Sequence, residues 1–352
     1  MSIKRLILSV AASALMLPTF NAWSKAEFKI VTGSERGTYI QIGRDLAKYV
    51  APEADMELEV LPSKGSVENV NRLRYETGVK LAIVQSDVYQ GFLDQATAGN
   101  REAGRTIQPL RVVMPLYNEE IYFITRTDSP LNFVHEIKDK KINIGPLQSG
   151  TALTTTTLYR MMFNESMPDN NVSFLSNEEA LLKLTTDTSL DVVVIVAGQP
   201  AKLLADMKPE AKKFIKLLKV DANHPATKAA IQTYFPATIR SASYPNWLEQ
   251  DVPGLAVKAF LVTYDFVYKQ SIDHLVQLTR SLCRNFQVLQ TEGHPKWREV
   301  ELGLPELGKG WQYYAPMARE LHACAAANKP TPVKPQGKTC SMQQKVLGLC
   351  EE

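Results

Sequence analysis

Apolar, β-branched runs alternate along this chain with stretches whose apolar residues recur every three or four positions. That alternation constrains the fold more than any other feature. The strand-like runs are FKIVTG, MELEVLPS, KLAIVQSD, RVVMPLY, IYFITR, KINIGP, VSFLS and DVVVIVAG. Between them lie helix-period patterns, such as Tyr39, Ile42, Leu46 and Tyr49, or Leu181, Leu182 and Leu184 within 178–187. Strands that alternate with helices predict an α/β fold of parallel sheets covered by helices on both faces. The alternation breaks at RVVMPLYNEEIYFITR, where only the polar join Asn118–Glu120 separates two strand-like runs. A chain leaving one α/β unit and entering another has this look, and GLAVKAFLVTYDFV (254–267) suits a return strand. With 352 residues there is length for two such units. We expect one lobe from 25–117 plus 254–324, helical from Ser271 to about Leu289, and a second lobe from 118–253.

The two ends read differently. Residues 1–24 carry Lys4 and Arg5, an apolar run from Leu6 to Leu17, Pro18 and the small-residue site Ala22-Trp23-Ser24. This is the layout of a cleaved secretory signal, shorter than the ~20 apolar residues of a membrane span. The expected location is the periplasm, with the mature chain starting near Lys25. The stretch 325–352 is a polar tail holding Cys340 and Cys350. Export makes disulfides plausible for the four cysteines, with Cys340–Cys350 the favoured pair by proximity. The run KKFIKLLK reads as a basic helix with Phe214, Ile215 and Leu218 on one side, a solvated face over core. A net charge of +3 spread along the chain gives no nucleic-acid stripe.

Several strand ends share one chemistry. TGSERGTY leaves a strand through Gly33 and Gly37 and opens a helix near Thr38. PSKGSVENV places Gly65 and Ser66 before a helix, with Ser66 as the expected N-cap; IVQSDVY ends a strand in Gln85, Ser86 and Asp87. IGPLQSGTALTTTTLY sets Ser149, Gly150 and Thr151 ahead of another helix. Helix starts carry free N–H groups and partial positive charge, so they suit an anion. In α/β sheets the carboxyl ends of strands line the ligand crevice. A phosphate P-loop would need Gly-Lys-Ser/Thr, and a dinucleotide site would need an acid closing the next strand, where Leu61-Pro62-Ser63 stands instead. A small carboxylate fits best.

The series T-G-x-x-x-G-x-Y-x-x-x-G, G-S-V-E-N, Q-S-D and G-x-x-x-S-G-T, with VVIVAGQPA, YFPATIRSASYPNW and AVKAFLVTYDFV after it, resembles the TAXI solute-binding proteins. These are the extracytoplasmic receptors of one class of tripartite ATP-independent periplasmic (TRAP) transporters. The resemblance spans about Phe28 to Leu321. It implies a two-lobed type II periplasmic-binding-protein fold with a ligand cleft between lobes. It also implies a glutamate-, glutamine- or 2-oxoglutarate-like ligand, a TRAP membrane subunit as partner, a monomer, and no cofactor. Carried over by position, the ligand-binding residues are Gly37, Thr38, Tyr39, Ser66, Gln85, Ser86, Asp87, Ser149, Gly150, Thr151, Gly198 and Tyr244. Gln148 and Trp247 depart from the family, which has glycine and glutamine there.

No metal is expected, because the five histidines show no ligand spacing. H-E-x-x-H, G-x-S-x-G and S-x-x-K nucleophile patterns are missing, which disfavours an enzyme. Asp87 is expected to orient Gln85 and Ser86 or accept a donor from the ligand. Two other readings stay open: a periplasmic sensor serving a membrane kinase, and an enzyme on the same scaffold.

Overall fold

The computed structural model describes residues 25–187 and 189–327. The signal segment, most of the tail and the favoured Cys340–Cys350 pair lie outside the described residues.

The first part of the chain runs β1 (Ala26–Val31), α1 (Thr38–Asp45), β2 (Met56–Leu61), α2 (Ser66–Tyr75), β3 (Val79–Gln85), α3 (Val88–Thr97), α4 (Arg101–Ile107) and β4 (Leu110–Arg126). The middle part follows as β5 (Ile142–Asn143), α5 (Gly150–Phe163), β6 (Val172–Ser173), α6 (Asn177–Thr186), β7 (Val192–Ala197), α7 (Lys202–Ala205), β8 (Ile215–Leu217), α8 (Pro225–Ile231) and β9 (Phe235–Ile239). The last part is β10 (Val252–Tyr264), α9 (Lys269–Arg284), α10 (Phe286–Glu292) and α11 (Ala315–Ala327).

Among the described residues ten strands join in the order β2-β1-β3-β10-β4-β7-β5-β6, with β8 added to β4 and β9 to β10. The sheet is mixed rather than parallel. β1 pairs β2 and β3 in parallel, whereas β10 runs antiparallel to β3, β4 and β9. β4 and β10 are long enough to serve both ends of the sheet. The first part of β4 and the last part of β10 pair with each other beside β3, while the other ends support β7, β8 and β9. The polar join at Asn118–Glu120 is therefore not a break between two strands. It is the middle of one 17-residue strand, and all three of its residues pair with Ala256–Lys258 of β10.

Four apolar clusters pack on this sheet, and they divide cleanly. Two draw only on residues up to Tyr117 and from Ala259 onward; the other two draw only on Ile121 through Val257. This is a two-lobed α/β fold whose lobes share a pair of crossing strands. Burying each helix face against its own half of the sheet is the main source of cohesion.

One expected helix is absent. In KKFIKLLK, Ile215–Leu217 is strand β8, paired with Ile124–Arg126, and only Pro209–Lys213 before it is a helical turn. Ile215 and Leu217 point inward while Phe214 remains 57% exposed. The free edge of β4 needed a hydrogen-bonding partner, and that demand outweighed a weak helical period. Cys283 on α9 and Cys324 on α11 form a disulfide, and Arg280 and Glu320 join the same helices by a two-pronged ion pair. Among the described residues no helix is long and apolar enough to cross a membrane.

Candidate functional site

Four helices of the two lobes begin around one cavity of about 200 Å³. From the first lobe come the starts of α1 (Gly37, Thr38, Tyr39) and α2 (Gly65, Ser66), with Gln85 at the end of β3. From the second come the starts of α5 (Ser149, Gly150, Thr151) and α6 (Ser176, Asn177). Ile195, Val196, Ala197, Ala201 and Leu203 supply an apolar wall. Among the described residues no side chain caps α1 or α2; in the first turn of α2 the Glu68 N–H instead donates to the Gln148 carbonyl at 3.1 Å. Ser149 does cap α5, accepting from the Ala152 N–H at 3.0 Å.

Glycine is required where the two lobes touch. Gly65 has φ +125°, and a Cβ there would meet the Gly150 backbone nitrogen at 3.1 Å. A Cβ on Gly150 would collide with Gln85 Oε1 and Ser66 Oγ. By contrast Gly37 has φ −83°, so its value at the turn is not a left-handed backbone. Ser66 is not the N-cap of α2 either: Gly65 takes that position, and the Ser66 hydroxyl accepts from the Gln85 N–H at 3.0 Å.

Eight of the twelve positions expected from the sequence thus line the cavity: Gly37, Thr38, Tyr39, Ser66, Gln85, Ser149, Gly150 and Thr151. The other four lie behind it. Ser86 is held through its backbone, its N–H donating to Lys258 O and its carbonyl accepting from Trp311 Nε1. Gly198 offers its carbonyl to the Thr38 hydroxyl at 2.8 Å, a bond between the lobes. Tyr244 is fully buried in a second-lobe core, bonded to the Tyr122 hydroxyl and the Ala201 N–H. Asp87 does not orient Gln85 or Ser86. Its Oδ2 accepts from Thr154 at 2.7 Å and from Tyr234 at 3.0 Å.

The two departures from the family pattern also lie off the cavity. Gln148 is exposed with φ +70°, the backbone region that glycine occupies most easily. Trp247 is buried among second-lobe residues and donates to Leu204 O at 2.8 Å.

Sequence reasoning missed Arg36, Ser63, Lys64, Ser176, Asn177 and, above all, Glu119. Arg36 reaches over the rim to Asp206 at 3.0 Å. Glu119 is 3% exposed on β4 and accepts from the Tyr39 hydroxyl at 2.5 Å. Burial pushes its carboxyl up to about 8, the Tyr39 hydrogen bond pulling the other way and neighbouring Glu120 raising it further. It is therefore an uncharged acid at neutral pH. The adjacent Glu120 faces the opposite side of the strand, where buried Lys296 bonds to it at 2.7 Å and Gln199 donates twice. Two consecutive acids inside a strand-like run were the available signal. Such a pair is costly to bury and needs a reason.

Comparison with known proteins places the chain. Residues 30–308 match the NMT1-like family. The chain belongs to that family. Among solved structures it is similar to the periplasmic binding protein BugD, at 11% identity over 86% of this chain and 95% of the other, with a TM-score of 0.49. It is also similar to the periplasmic sulfonate-binding protein SsuA of Methylobacillus flagellatus KT, at 12% identity over 86% of each chain and a TM-score of 0.44. A third is the ligand-binding component of an ABC-type import system from Staphylococcus aureus, at 12% identity over 84% and 83% and a TM-score of 0.41. At these levels of similarity nothing about a ligand is transferred to this NMT1-like chain.

Proposed function

We propose that this protein is an extracytoplasmic receptor that captures a small carboxylate-bearing solute between its lobes. We further propose that it hands the solute unchanged to a TRAP-type membrane subunit, as the TAXI-like motifs suggest. The observation that carries the reading is the convergence of four helix starts, two from each lobe, on one small cavity. Each start brings N–H donors and partial positive charge toward the same point, and they reach it together only when the lobes are closed. Glu119 does not oppose this, because it stays protonated at neutral pH and adds no negative charge to the cavity. The apolar wall from β7 and α7 accommodates a short carbon skeleton. The binding set is Gly37, Thr38, Tyr39, Ser66, Gln85, Ser149, Gly150 and Thr151, now joined by Glu119 and Asn177.

The test is a thermal-shift screen of glutamate, glutamine, 2-oxoglutarate, C4-dicarboxylates and aromatic acids. A ligand at a hundred times its Kd stabilises the native state by ~2.7 kcal/mol. For lobes of this size that shift is about 5–10 °C. Thr151 lines the cavity one residue into α5. Thr151→Val therefore removes a hydroxyl donor at nearly constant volume and should weaken any hit by about 1 kcal/mol, roughly fivefold in Kd. Stabilisation by uncharged sugars alone would sink the carboxylate reading. Recovery of a chemically altered ligand would turn it toward an enzyme.

A further inference from the structure

Behind the cavity lies a carboxyl group that ligand capture does not use. Asp87 stands at the start of α3, between Val84 and Val88 of a first-lobe core, and is 7% exposed. Both of its hydrogen-bond donors belong to the other lobe. Thr154 sits on α5 and Tyr234 follows α8, and each is fully buried. The two hydroxyls converge on Oδ2, while Oδ1 is buried with no side-chain hydrogen-bond partner among the described residues. We propose that Asp87 is a proton-operated catch between the lobes: closing the cleft loads a proton onto this carboxyl, and losing the proton favours opening.

The geometry supplies the reason. In the open cleft Asp87 regains water and titrates as an ordinary carboxylic acid. In the closed cleft two neutral hydroxyls and its own backbone N–H are the donors that face it, and no cation pairs with it among the described residues. The charged and titratable groups around it do not change that. Tyr234 is neutral, and Glu119 on β4 is an acid whose charge would add to the cost. Arg160 on α5 is committed to Asp94 on α3 at 3.1 Å, at the outer edge of the cleft. Lys258 on β10 meets this turn through its backbone carbonyl, which accepts from the Ser86 N–H. Burial accordingly pushes Asp87 up to about 6 in the closed form. With the open form in the usual range near 3.9, linkage makes the closing equilibrium about tenfold more favourable at pH 5 than at pH 8.

The inference rests on a cleft that closes, and not on what it closes around, so the experiment adds no ligand. Dyes attached through azide-bearing residues at exposed positions Glu57 and Glu210 report the lobe separation in the mature full-length protein by single-molecule energy transfer. The closed fraction should climb as pH falls through about 6. In Asp87→Asn, which is uncharged at every pH, that step should vanish and the closed fraction should stay at its low-pH level. Tyr234→Phe deletes one donor to the carboxylate, so its step should move to higher pH. Glu119, pushed up to about 8, marks a separate step that persists in Asp87→Asn and moves slightly lower there, because a nearby negative charge is gone. A closed fraction constant from pH 8 to pH 5 in the wild type, or a step near 6 that persists in Asp87→Asn, would overturn the proposal.

Discussion

Glu119 and Glu120 are neighbours in sequence with opposite solutions to burial. Glu119 faces the cavity with a tyrosine hydroxyl as partner and keeps its proton; Glu120 faces the core behind and is matched by Lys296. The sign of the Glu119 effect follows from its raised value. Folded protein holds that proton more tightly than unfolded protein does, so stability declines as pH rises from the ordinary glutamate range to about 8. Glu119→Gln has no proton to lose. It should match the wild type at pH 4.5 and melt higher at pH 8, by at most about 4–5 kcal/mol of stability. A carboxylate ligand should also bind the wild type more weakly above pH 8, and the variant at constant strength. Lys296 gives the complementary case. It is 1% exposed with bonds to Glu120 and Glu299, so Lys296→Met strands a buried carboxylate and should cost about 3–5 kcal/mol in denaturant unfolding. At this scale the sequence showed the small residues of the turns well, because glycine and serine before a helix have few other uses. It did not show which hydroxyls were already spent. Thr38, Ser66 and Tyr39 each bond to a residue distant in sequence, and no local pattern encodes that.

Among the elements, the strands were legible wherever a run was buried on both faces, as in β3, β7 and β10. The period-two or continuous apolar signal there has no competitor. β8 and β9 were not, being short and defined by the edges they cover. The pairing of α9 with α11 shows the same limit. Nothing in the spacing of Cys283 and Cys324 announces a bond across 41 residues; the helices bring their Cα atoms within 6.0 Å. Non-reducing peptide mapping should return a fragment linking these two cysteines. A closed loop of that length restricts the unfolded chain by ~4 kcal/mol. Cys283→Ser should lower the denaturation midpoint accordingly, and equal midpoints for variant and wild type would show that the bond contributes nothing to stability.

Across the whole molecule, the alternation of strands and helices was enough to anticipate two lobes, and the helix-free join pointed to the crossing. The same reasoning misread the join as a gap, since a polar tripeptide in mid-strand looks like a turn until its partner strand is known. We propose 118–253 as the second lobe and the flanking segments as the first, on the strength of cores that divide near Tyr117 and Val257. The sheet order holds a regularity that the sequence hides. Reading inward from either edge gives β2-β1-β3 followed by β10, or β6-β5-β7 followed by β4. Each half thus repeats one pattern of three strands and borrows as its fourth neighbour the strand that belongs to the other crossing, although the two halves share no recognisable repeat.

The shared strands also set an order of assembly. Every residue of the middle lobe's cores lies in one uninterrupted stretch, Ile121 to Val257, whereas the outer lobe needs the segment from Ala259 onward to finish its sheet. A chain emerging from its amino end therefore has its earlier half waiting for a closing strand that is made late. Pulsed hydrogen exchange during refolding should find amides of β5 and β7 protected before those of β1 and β2. The reverse order would mean that the outer lobe nucleates without β10. The part of the protein made first is thus the part completed last, and until β10 arrives the edge of β3 is exposed to whatever holds unfinished chains in solution.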